Sequence, residues 1–420
     1  MIKSFSCQNF RNINVTDLKF EKINVLIGPN NSGKSNFIKA LTFYSDILVN
    51  GRYGTFQTSF LNTLARHGWE HTHSRNVSIN EPIQFTWAVD LGGQDLRYTF
   101  SYAVGGDFKD NKIVLEELNG PRQENHDQPF NFFRCHQPKI GEGNFSTATR
   151  EGRRNVRLRS FDLDTQEILP MQFKDILLKN GEIYADDEMR GDITKLLNEL
   201  EEFFCGFFVY VGIPFDLQKI RELGDIKSLD NRLSVDGANF VNVFSKYKAE
   251  NLVWKTKFEK KMKELIPTLE TADVVQVRNH TAFAMVFDGK QYDLSDVSDG
   301  TIKGLILNML VNMPFGQKQS LLALDEPESN LHPAWQKVLG QWIRHTENYE
   351  QIFVGTHSPD LLDTFTEPFK EGRVGVFVFD PGKQESIKKI TYKDIADELG
   401  DWELGDLYRT NDPSLGGWPW

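Results

Sequence analysis

The chain has 420 residues and a formal net charge of −11, with 39% hydrophobic and 25% charged residues. This length allows two or three domains with sizeable cores. The acidic balance excludes a uniformly basic nucleic-acid-binding surface, though not a local basic strip. The three cysteines, Cys7, Cys135 and Cys205, are isolated, which disfavours a disulfide framework or a cysteine zinc site and favours a reducing cytoplasm. No apolar run approaches the roughly 18 residues of a membrane span, and no apolar signal region follows Met1, so we expect a cytoplasmic protein with no membrane partner.

The N-terminal part of the chain combines apolar strands with a glycine-bounded loop. Residues 2–10 and 22–27 predict two strands joined by a turn. Residues 28–35, Gly-Pro-Asn-Asn-Ser-Gly-Lys-Ser, follow directly in the spacing G-x-x-x-x-G-K-S, and a helix is predicted after them. The candidate phosphate-binding residues are therefore Gly28, Asn30, Asn31, Ser32, Gly33, Lys34, Ser35 and Asn36.

The chemistry of this loop follows from its residue types. Gly28 and Gly33 let the backbone curl without a Cβ in the way, so the loop amides form a nest for phosphate oxygens. The helix that begins near Lys34 aims its positive end at the same place. We expect Lys34 to bridge the β- and γ-phosphates and Ser35 to ligate Mg²⁺.

The next stretch is irregular and then becomes a sheet. Residues 49–75 lack a clear period and contain His67, His71 and His73. Histidines at this spacing can hold a metal, but no acidic or cysteine partner repeats the pattern. A loop or short helix packed by Trp69 is the favoured interpretation. Residues 77–118 alternate at period two between glycine pairs, which predicts an antiparallel meander.

Residues 119–160 are polar and irregular, and they end in a run of arginines. One interpretation is contact with a phosphate backbone or an acidic partner. The other, which charge runs usually favour, is a solvated face. The arginines are Arg150, Arg153, Arg154, Arg157 and Arg159.

The middle of the chain predicts helices and a hairpin. Residues 189–205 are amphipathic at helical period, and residues 207–211 are apolar throughout, as in a buried strand. Residues 237–265 predict one long helical stretch, ended by a proline. Residues 274–277 and 282–287 predict a β-hairpin.

Two further stretches carry chemistry when placed beside the phosphate loop. Ser298 and Asp299 are candidate N-caps of an apolar helix, and Gly300 leaves backbone room at this second phosphate-binding helix end. A plain capped helix is the alternative, and it is favoured when the stretch is taken alone.

The strand at residues 320–324 ends in Asp325 and Glu326. Asp325 could hold Mg²⁺ opposite Ser35, and Glu326 could act as general base for the attacking water.

A third strand, residues 351–356, is followed by His357. A histidine at the carboxyl end of a strand beside a phosphate site can hydrogen-bond the γ-phosphate or the water. We therefore assign Glu326, His357 and Lys34 to catalysis, and Ser35 and Asp325 to the metal.

In this order, these elements resemble the ABC-type ATPase heads of the RecF, SMC and OLD group. Residues 28–35 resemble the Walker A motif, residues 298–301 the signature motif, residues 320–326 Walker B with its catalytic glutamate, and residues 328–333 the D-loop. His357 resembles the switch histidine. Residues 9–12, Asn-Phe-Arg-Asn, match the opening of RecF-like heads, which implies that Asn12 lies near the nucleotide base.

The resemblance implies an α/β ABC-ATPase head with a P-loop sheet, an antiparallel β sublobe and a helical signature lobe. It implies ATP and Mg²⁺ as ligands, and a homodimer or higher oligomer in which Ser298, Asp299 and Gly300 contact the γ-phosphate held by a second protomer. The signature lacks the Gly-Gly pair of transporter heads, and the sequence shows no zinc hook and no pattern for a long coiled coil.

About sixty residues follow His357, which is short for the Toprim nuclease domain of OLD proteins. We therefore expect a stand-alone ATPase similar to anti-phage proteins such as PtuA of Septu or AriA of PARIS. Such a chain would be a nucleotide-gated switch for a separate nuclease or toxin effector. The alternatives are a RecF-like DNA-binding ATPase in repair and a non-enzymatic scaffold that holds ATP structurally.

Five segments follow from this assignment. The nucleotide-binding core comprises residues 1–49, with Walker A, and residues 317–400, with Walker B and the switch histidine. Residues 50–205 form an inserted antiparallel β sublobe with the irregular basic segment, and residues 206–316 form the helical lobe with the signature motif. Residues 401–420 are a C-terminal tail, either a disordered end or a docking peptide with aromatic anchors.

Overall fold

The chain forms two compact units, each assembled from segments that are distant in sequence. The first comprises Met1–Glu21, Ser35–Phe207 and Pro381–Ile387, and the second Lys22–Lys34, Phe208–Asp380 and Lys388–Trp420. The computed structural model describes residues 1–53, 59–122, 129–136, 142–145, 161–173, 187–211, 215–222, 232–277, 280–380 and 386–416.

The described residues contain strands and helices throughout. The strands are β1 (Ile2–Phe10), β2 (Ile13–Lys19), β3 (Ile23–Ile27), β4 (Ile83–Leu91), β5 (Gln94–Ala103), β6 (Lys112–Arg122), β7 (Pro129–His136), β8 (Glu142–Phe145), β9 (Phe161–Asp162), β10 (Phe207–Tyr210), β11 (Leu269–Val277), β12 (His280–Phe287), β13 (Lys290–Asp293), β14 (Gln319–Asp325), β15 (Tyr349–Gly355), β16 (Val374–Phe379) and β17 (Ile387–Ile390). The helices are α1 (Lys34–Tyr53), α2 (Ser59–His67), α3 (Asp187–Cys205), α4 (Leu217–Arg221), α5 (Phe240–Glu250), α6 (Leu252–Leu265), α7 (Asp299–Asn312), α8 (Pro333–His345), α9 (Pro359–Asp363), α10 (Thr366–Lys370), α11 (Ala396–Leu399) and α12 (Leu404–Arg409). Single 3₁₀ turns occur at Trp69–His71, Phe108–Asp110, Tyr392–Asp394 and Pro413–Leu415.

The first unit is built on an eight-stranded sheet in the order β2-β1-β4-β5-β6-β7-β8-β9. Strands β4, β5 and β6 pair as antiparallel neighbours, which confirms the predicted meander. In β4 the side chains alternate strictly between buried and half-buried, because successive residues of a strand point to opposite faces. The buried face is aromatic: the ring of Phe43 stacks on that of Tyr102 at 5.4 Å, and Trp87 Nε1 donates to the Leu41 carbonyl.

The second unit is built on a six-stranded sheet in the order β10-β14-β15-β3-β16-β17. Strands β14, β15, β3 and β16 run parallel. Every residue of β3 and β16 is buried, as expected for a parallel sheet covered on both faces. A separate antiparallel sheet, β11-β12-β13, confirms the predicted hairpin, and helix α7 is buried from Thr301 to Val311.

Several predicted elements are confirmed and others are corrected. The helix at residues 189–205 and the strand at 207–211 are present as α3 and β10. The segment between residues 10 and 22, predicted as a turn, contains the strand β2. The sequence did not predict this strand because polar residues interrupt its short apolar alternation. The predicted long helix from 237 to 265 is two helices, because Asn251 ends α5 and its side chain accepts from the Trp254 amide to cap α6.

The irregular stretches were also more structured than expected. Helix α1 extends to Tyr53 and α2 follows, so much of the stretch from 49 to 75 is helical. Strands β7 and β8 lie within the stretch predicted as irregular. The arginine run at residues 150–159 lies outside the described residues, so its two interpretations stay predictions.

For residues 404–416, the expectation of a disordered end or docking peptide is wrong. Helix α12 and the turn after it contribute Leu404, Leu407 and Leu415 to the hydrophobic core of the second unit. Residues 417–420 lie outside the described part. Among the described helices, none is both long and apolar enough to cross a membrane.

Candidate nucleotide-binding site

The loop after β3 has the backbone that the glycines predict. Gly28 and Gly33 have φ angles of 146° and 110°, and Asn31 has a φ of 61°. A Cβ on Gly28 would lie 2.5 Å from the Phe379 carbonyl oxygen, so no side chain fits there. Asn30 and Asn31 are exposed, and Ser32 is buried with its amide donating to the Pro29 carbonyl over 3.2 Å.

Lys34 is folded back onto this loop. Its Nζ donates to the carbonyl oxygens of Gly28 at 2.9 Å and Pro29 at 3.1 Å, and to Nε2 of His357 at 2.7 Å. The residue is 5% exposed. Burial lowers its pKa to about 8, and the carboxylates of Asp325, Glu326 and Glu328 oppose that shift. All three hydrogen-bond acceptors of this buried ammonium are neutral, so none of them neutralises its positive charge. That charge favours the binding of a polyanion such as a triphosphate.

His357 is a neutral imidazole at neutral pH. Burial, with the positive charge of Lys34 beside it, lowers its pKa to about 4, while Glu326 opposes the shift. Because Nε2 accepts the hydrogen bond from Lys34, the ring proton is on Nδ1. The contact of 3.4 Å between Nε2 and Glu326 Oε1 is therefore not an ion pair.

Asp325 and Glu326 lie where β14 ends. The Glu326 amide donates to the Gly355 carbonyl, and its φ of 50° turns the chain away from the sheet. The Glu326 side chain is 47% exposed, whereas Asp325 is buried. Gly355 provides the room for Asp325, since a Cβ there would lie 2.5 Å from its Oδ1. A carboxylate at this position is the hard oxygen ligand that Mg²⁺ prefers, so the residues fit the metal that the motif predicts.

The predicted signature residues begin α7. Ser298 is its N-cap, with Oγ accepting from the Thr301 amide over 3.2 Å. The Asp299 carboxylate pairs with Arg221 at 2.6 Å. Gly300 lies against Asn330, whose carbonyl oxygen would be 2.9 Å from a Cβ at position 300. The first turn of α7 is therefore fixed, and Asp299 serves a structural contact in this arrangement.

The sequence analysis missed two charged residues beside the site. Lys303 Nζ donates to the Ser329 carbonyl at 2.6 Å, and Glu328 Oε1 accepts from the His357 amide at 2.8 Å. Lys303 is the only charged residue of α7 after Asp299. A single charge inside an otherwise apolar helix could have indicated a buried lysine with a specific partner. Glu328 fell inside the predicted D-loop, but nothing in the sequence indicated that its side chain turns back to the histidine.

The remaining predicted site residues, Asn12, Ser35 and Asn36, belong to the first unit. Asn36 Nδ2 donates to Asn12 Oδ1 at 2.7 Å, and Arg11 donates to Asn36 Oδ1 at 2.8 Å. The second guanidinium nitrogen of Arg11 donates to the His67 carbonyl at 2.6 Å. The β1–β2 turn is thus joined to the first turn of α1, the segment that carries Ser35.

His67 and His73 have structural partners. His67 Nε2 lies 2.9 Å from Asp46 Oδ2, and the two ring nitrogens of His73 lie 2.9 and 2.8 Å from the carbonyl oxygens of Ser74 and Glu81. Within the ranges that the structure describes, no cluster of three or more metal-ligating side chains was found.

A parallel sheet with a phosphate loop after one strand, carboxylates after a second and a histidine after a third is the core of an ABC-type ATPase head. Two family models match the chain: one described as "AAA ATPase domain" over residues 1–204, and one described as "AAA domain, putative AbiEii toxin, Type IV TA system" over residues 224–363. The fold and these two matches together support an ABC-type ATPase head of the RecF, SMC and OLD group.

Individual relatives are distant. The chain is 21% identical to Endonuclease GajA of Bacillus cereus (strain VD045) over 370 residues, which is 86% of this chain and 56% of GajA. It thus spans about half the length of that curated relative. The crystal structure of the SmcHead bound to the C-winged helix domain of ScpA matches with a TM-score of 0.50 at 12% identity, covering 93% of this chain and 98% of that one. The SMC head domain from Thermotoga maritima has the same coverage at 13% identity, with a TM-score of 0.42.

Proposed function

We propose that the chain binds and hydrolyses ATP, and that it acts as a nucleotide-gated switch for a partner effector in anti-phage defence. The observation that carries the ATPase proposal is the cluster of Lys34, His357 and Glu326. In this cluster the buried Lys34 ammonium donates to Nε2 of a neutral His357, and that nitrogen lies 3.4 Å from an oxygen of the half-exposed Glu326 carboxylate. These are the groups that phosphoryl transfer to water needs: charge for the phosphates, and a base and a hydrogen-bonding group for the water.

Each residue has a distinct role in this proposal. The amides of residues 28–33 and the Lys34 ammonium bind the phosphates. Glu326 accepts the proton of the attacking water, and its exposure leaves the carboxylate accessible to that water. His357 hydrogen-bonds the water or the γ-phosphate.

The proposal includes Mg²⁺, held by Asp325 and Ser35. When bound, Mg²⁺ would neutralise part of the phosphate charge. Asn12 is proposed to lie near the base, as the resemblance to RecF-like heads implies, and Asn36 is proposed to bind the nucleotide beside the phosphate loop.

The proposed switch is a dimer that closes around ATP. In the resemblance, Ser298, Asp299 and Gly300 of one protomer meet the γ-phosphate on the other. The fixed N-terminus of α7 supports this role, because its amides present a positive helix end. Hydrolysis removes the γ-phosphate and with it the contact, so the dimer opens.

The effector and defence parts of the proposal rest on likeness to other proteins. The sequence resembles stand-alone defence ATPases that act beside a separate nuclease or toxin. GajA, the distant relative, is itself named an endonuclease. We therefore propose that a nuclease or toxin associates with this chain.

Two measurements test the proposal together. The tagged chain is purified from its native operon with ATP present, the complex is weighed, and the proteins and nucleic acid in it are identified. A stoichiometric nuclease or toxin supports the switch, whereas a bare homodimer that carries DNA favours the RecF-like alternative. Phosphate release is then measured for the wild type and for Glu326→Gln. We expect the variant to bind ATP, to turn over slowly and to accumulate as dimer; unchanged turnover would contradict the assignment of the base.

A further inference from the structure

Two buried charged residues near His357 have no part in the proposed chemistry: Lys303 on α7 and Glu328 in the segment after β14. Lys303 is 6% exposed and Glu328 is 7% exposed. Glu328 belongs to the segment 326–331, and Lys303 contacts that segment. The segment leaves β14 and consists of two consecutive turns: the Ser329 amide donates to the Glu326 carbonyl, and the Leu331 amide to the Glu328 carbonyl. We call this segment the 326–331 turn.

Glu328 joins the 326–331 turn to the end of β15. Its Oε1 accepts from Thr356 Oγ1 at 2.7 Å and from the His357 backbone amide at 2.8 Å. Its Oε2 is buried and has no hydrogen-bond partner among the described residues. Burial raises the pKa of this carboxyl, and the donors from His357 and Thr356 oppose the shift. The carboxylate thus fixes the backbone at the residue where the His357 side chain leaves the strand.

Lys303 joins the same turn to α7. Its Nζ donates to the Ser329 carbonyl at 2.6 Å and, at 3.5 Å, to the Glu326 carbonyl. Burial lowers its pKa to about 8, while the carboxylates of Glu328 and Glu326 oppose the shift. Gly300, one turn earlier on α7, is in close contact with the Asn330 carbonyl. Helix α7 therefore contacts the turn at two points on one face of the helix. A movement of the helix would displace the turn.

We propose that Lys303 and Glu328 are positioning residues that couple the N-terminus of α7 to His357 through the 326–331 turn. The proposed relay runs from α7 through Lys303 to the turn, from the turn through Glu328 to the backbone of His357, and from the His357 ring to Lys34. The relay rests on the proposed function, in which the N-terminus of α7 contacts the nucleotide bound to a second protomer. Through the relay, that contact would change the position of His357 in the chain that carries α7. The coupling acts within one chain.

A merely structural role for the two residues makes different predictions. Buried charges that only stabilise the fold would lower the unfolding midpoint when replaced, and would leave the turnover of the folded protein unchanged. A relay changes turnover, changes the environment of the His357 ring, and makes the two substitutions non-additive because they act in series.

The chain offers a matched control pair in the same unit. On α6, Lys255 and Glu259 form an ion pair at 3.1 Å. Glu259 Oε1 accepts from Thr271 Oγ1 at 2.6 Å and from the Ala272 amide at 3.0 Å, the same donor set that Glu328 has. Lys255→Met and Glu259→Gln therefore match Lys303→Met and Glu328→Gln in chemistry, and neither control residue contacts the candidate site.

The experiment compares Lys303→Met, Glu328→Gln, the double variant and the control pair in the full chain. For each, kcat and KM of ATP hydrolysis, ATP affinity and the unfolding midpoint are measured, and the His357 ring nitrogens are followed by ¹⁵N NMR without nucleotide. We expect each relay variant to lose roughly ten- to hundredfold in kcat, with ATP affinity within about twofold of wild type. The double variant should be no slower than the slower single variant, and Lys303→Arg, which keeps a donor, should recover most of the turnover.

The outcomes separate the relay from the proposed function. Control-like kcat in both relay variants, or losses that simply multiply in the double variant, would overturn the relay while leaving the ATPase in place. If the wild type binds ATP without hydrolysing it, the proposed function fails and the NMR readout decides the relay. Shifted His357 ring signals in Lys303→Met, with unshifted signals in Lys255→Met, support it, and unshifted signals in both overturn it. If Lys303→Met does not fold, Lys303→Gln takes its place in the same comparison.

Discussion

Lys34 Nζ donates a 2.7 Å hydrogen bond to Nε2 of His357, so the phosphate-loop cation and the histidine at the end of β15 are hydrogen-bond partners. The same nitrogen of His357 lies 3.4 Å from Glu326 Oε1. A triphosphate that draws Lys34 away would release Nε2 beside the proposed base. In the proposed function, nucleotide binding would then also rearrange the groups proposed for hydrolysis. The first two predictions concern the two partners of this contact, Lys34 and His357.

The first prediction concerns the cation. Lys34→Met should weaken ATP binding by roughly 10- to 150-fold, because it removes charge-assisted hydrogen bonds to phosphate. Isothermal titration with ATP measures the change. Lys261→Met, which removes a surface lysine paired with Glu264, is the control and should leave affinity unchanged. Wild-type affinity in Lys34→Met would show that the loop is not the nucleotide site.

The second prediction concerns His357 and stability. Its pKa in the folded protein is lowered to about 4, from an ordinary value of 6.5. Between these values the unfolded chain binds the extra proton and the folded chain does not, so this group makes the free energy of unfolding rise with pH in that window. His357→Asn should flatten that rise. Urea denaturation at several pH values between 4 and 6.5 measures it, and a slope equal to that of the wild type would contradict a neutral, buried imidazole.

The local parts of the fold and site could be predicted from sequence, and the parts made by tertiary contact could not. The phosphate loop is set by Gly28 and Gly33, and β4 by its alternation, so both follow from neighbouring residues. The split of the predicted long helix depends on the cap at Asn251, which a helical period does not reveal. Lys303 and Glu328 find their hydrogen-bond partners only where α7, the 326–331 turn and β15 meet, and α7 and β15 are distant from the turn in sequence.

The third prediction tests the packing of α12, where sequence analysis expected a tail. Gly405 lies against α9: a Cβ there would overlap Asp363 Oδ1 and the Pro359 carbonyl. Gly405→Ala should therefore lower the free energy of unfolding by about 1–3 kcal/mol, the usual effect of overpacking. Gly316→Ala is the control, because no atom lies within 4 Å of its Cβ position. Equal stability of the two variants by chemical denaturation would mean that α12 does not pack on α9 in solution.

The fourth prediction concerns a buried carboxyl in the first unit. Glu116 is 2% exposed among aromatic rings; its Oε1 accepts from Tyr98 at 2.6 Å and Tyr44 at 3.0 Å, and its Oε2 accepts from the Leu169 amide. Burial raises its pKa to about 7, against the lowering effect of those three donors. Between the ordinary value of 4.5 and 7 the folded chain therefore binds a proton that the unfolded chain has lost. In this window Glu116 makes the free energy of unfolding fall as pH rises, by up to ~3 kcal/mol.

Glu116→Gln removes this titration while keeping the size of the side chain and one acceptor oxygen. The variant should lose the part of the pH dependence between 4.5 and 7 that comes from Glu116, so its stability relative to wild type should improve steadily as pH rises through that range. Glu117→Gln on the same strand is the control, since it makes the same change of residue type at a carboxylate that lies 3.7 Å from Nε of Arg134. Denaturation curves at half-unit pH intervals measure the difference. Parallel curves for Glu116→Gln and wild type would mean that Glu116 titrates as an exposed glutamate does, and that the aromatic core around it is open to water.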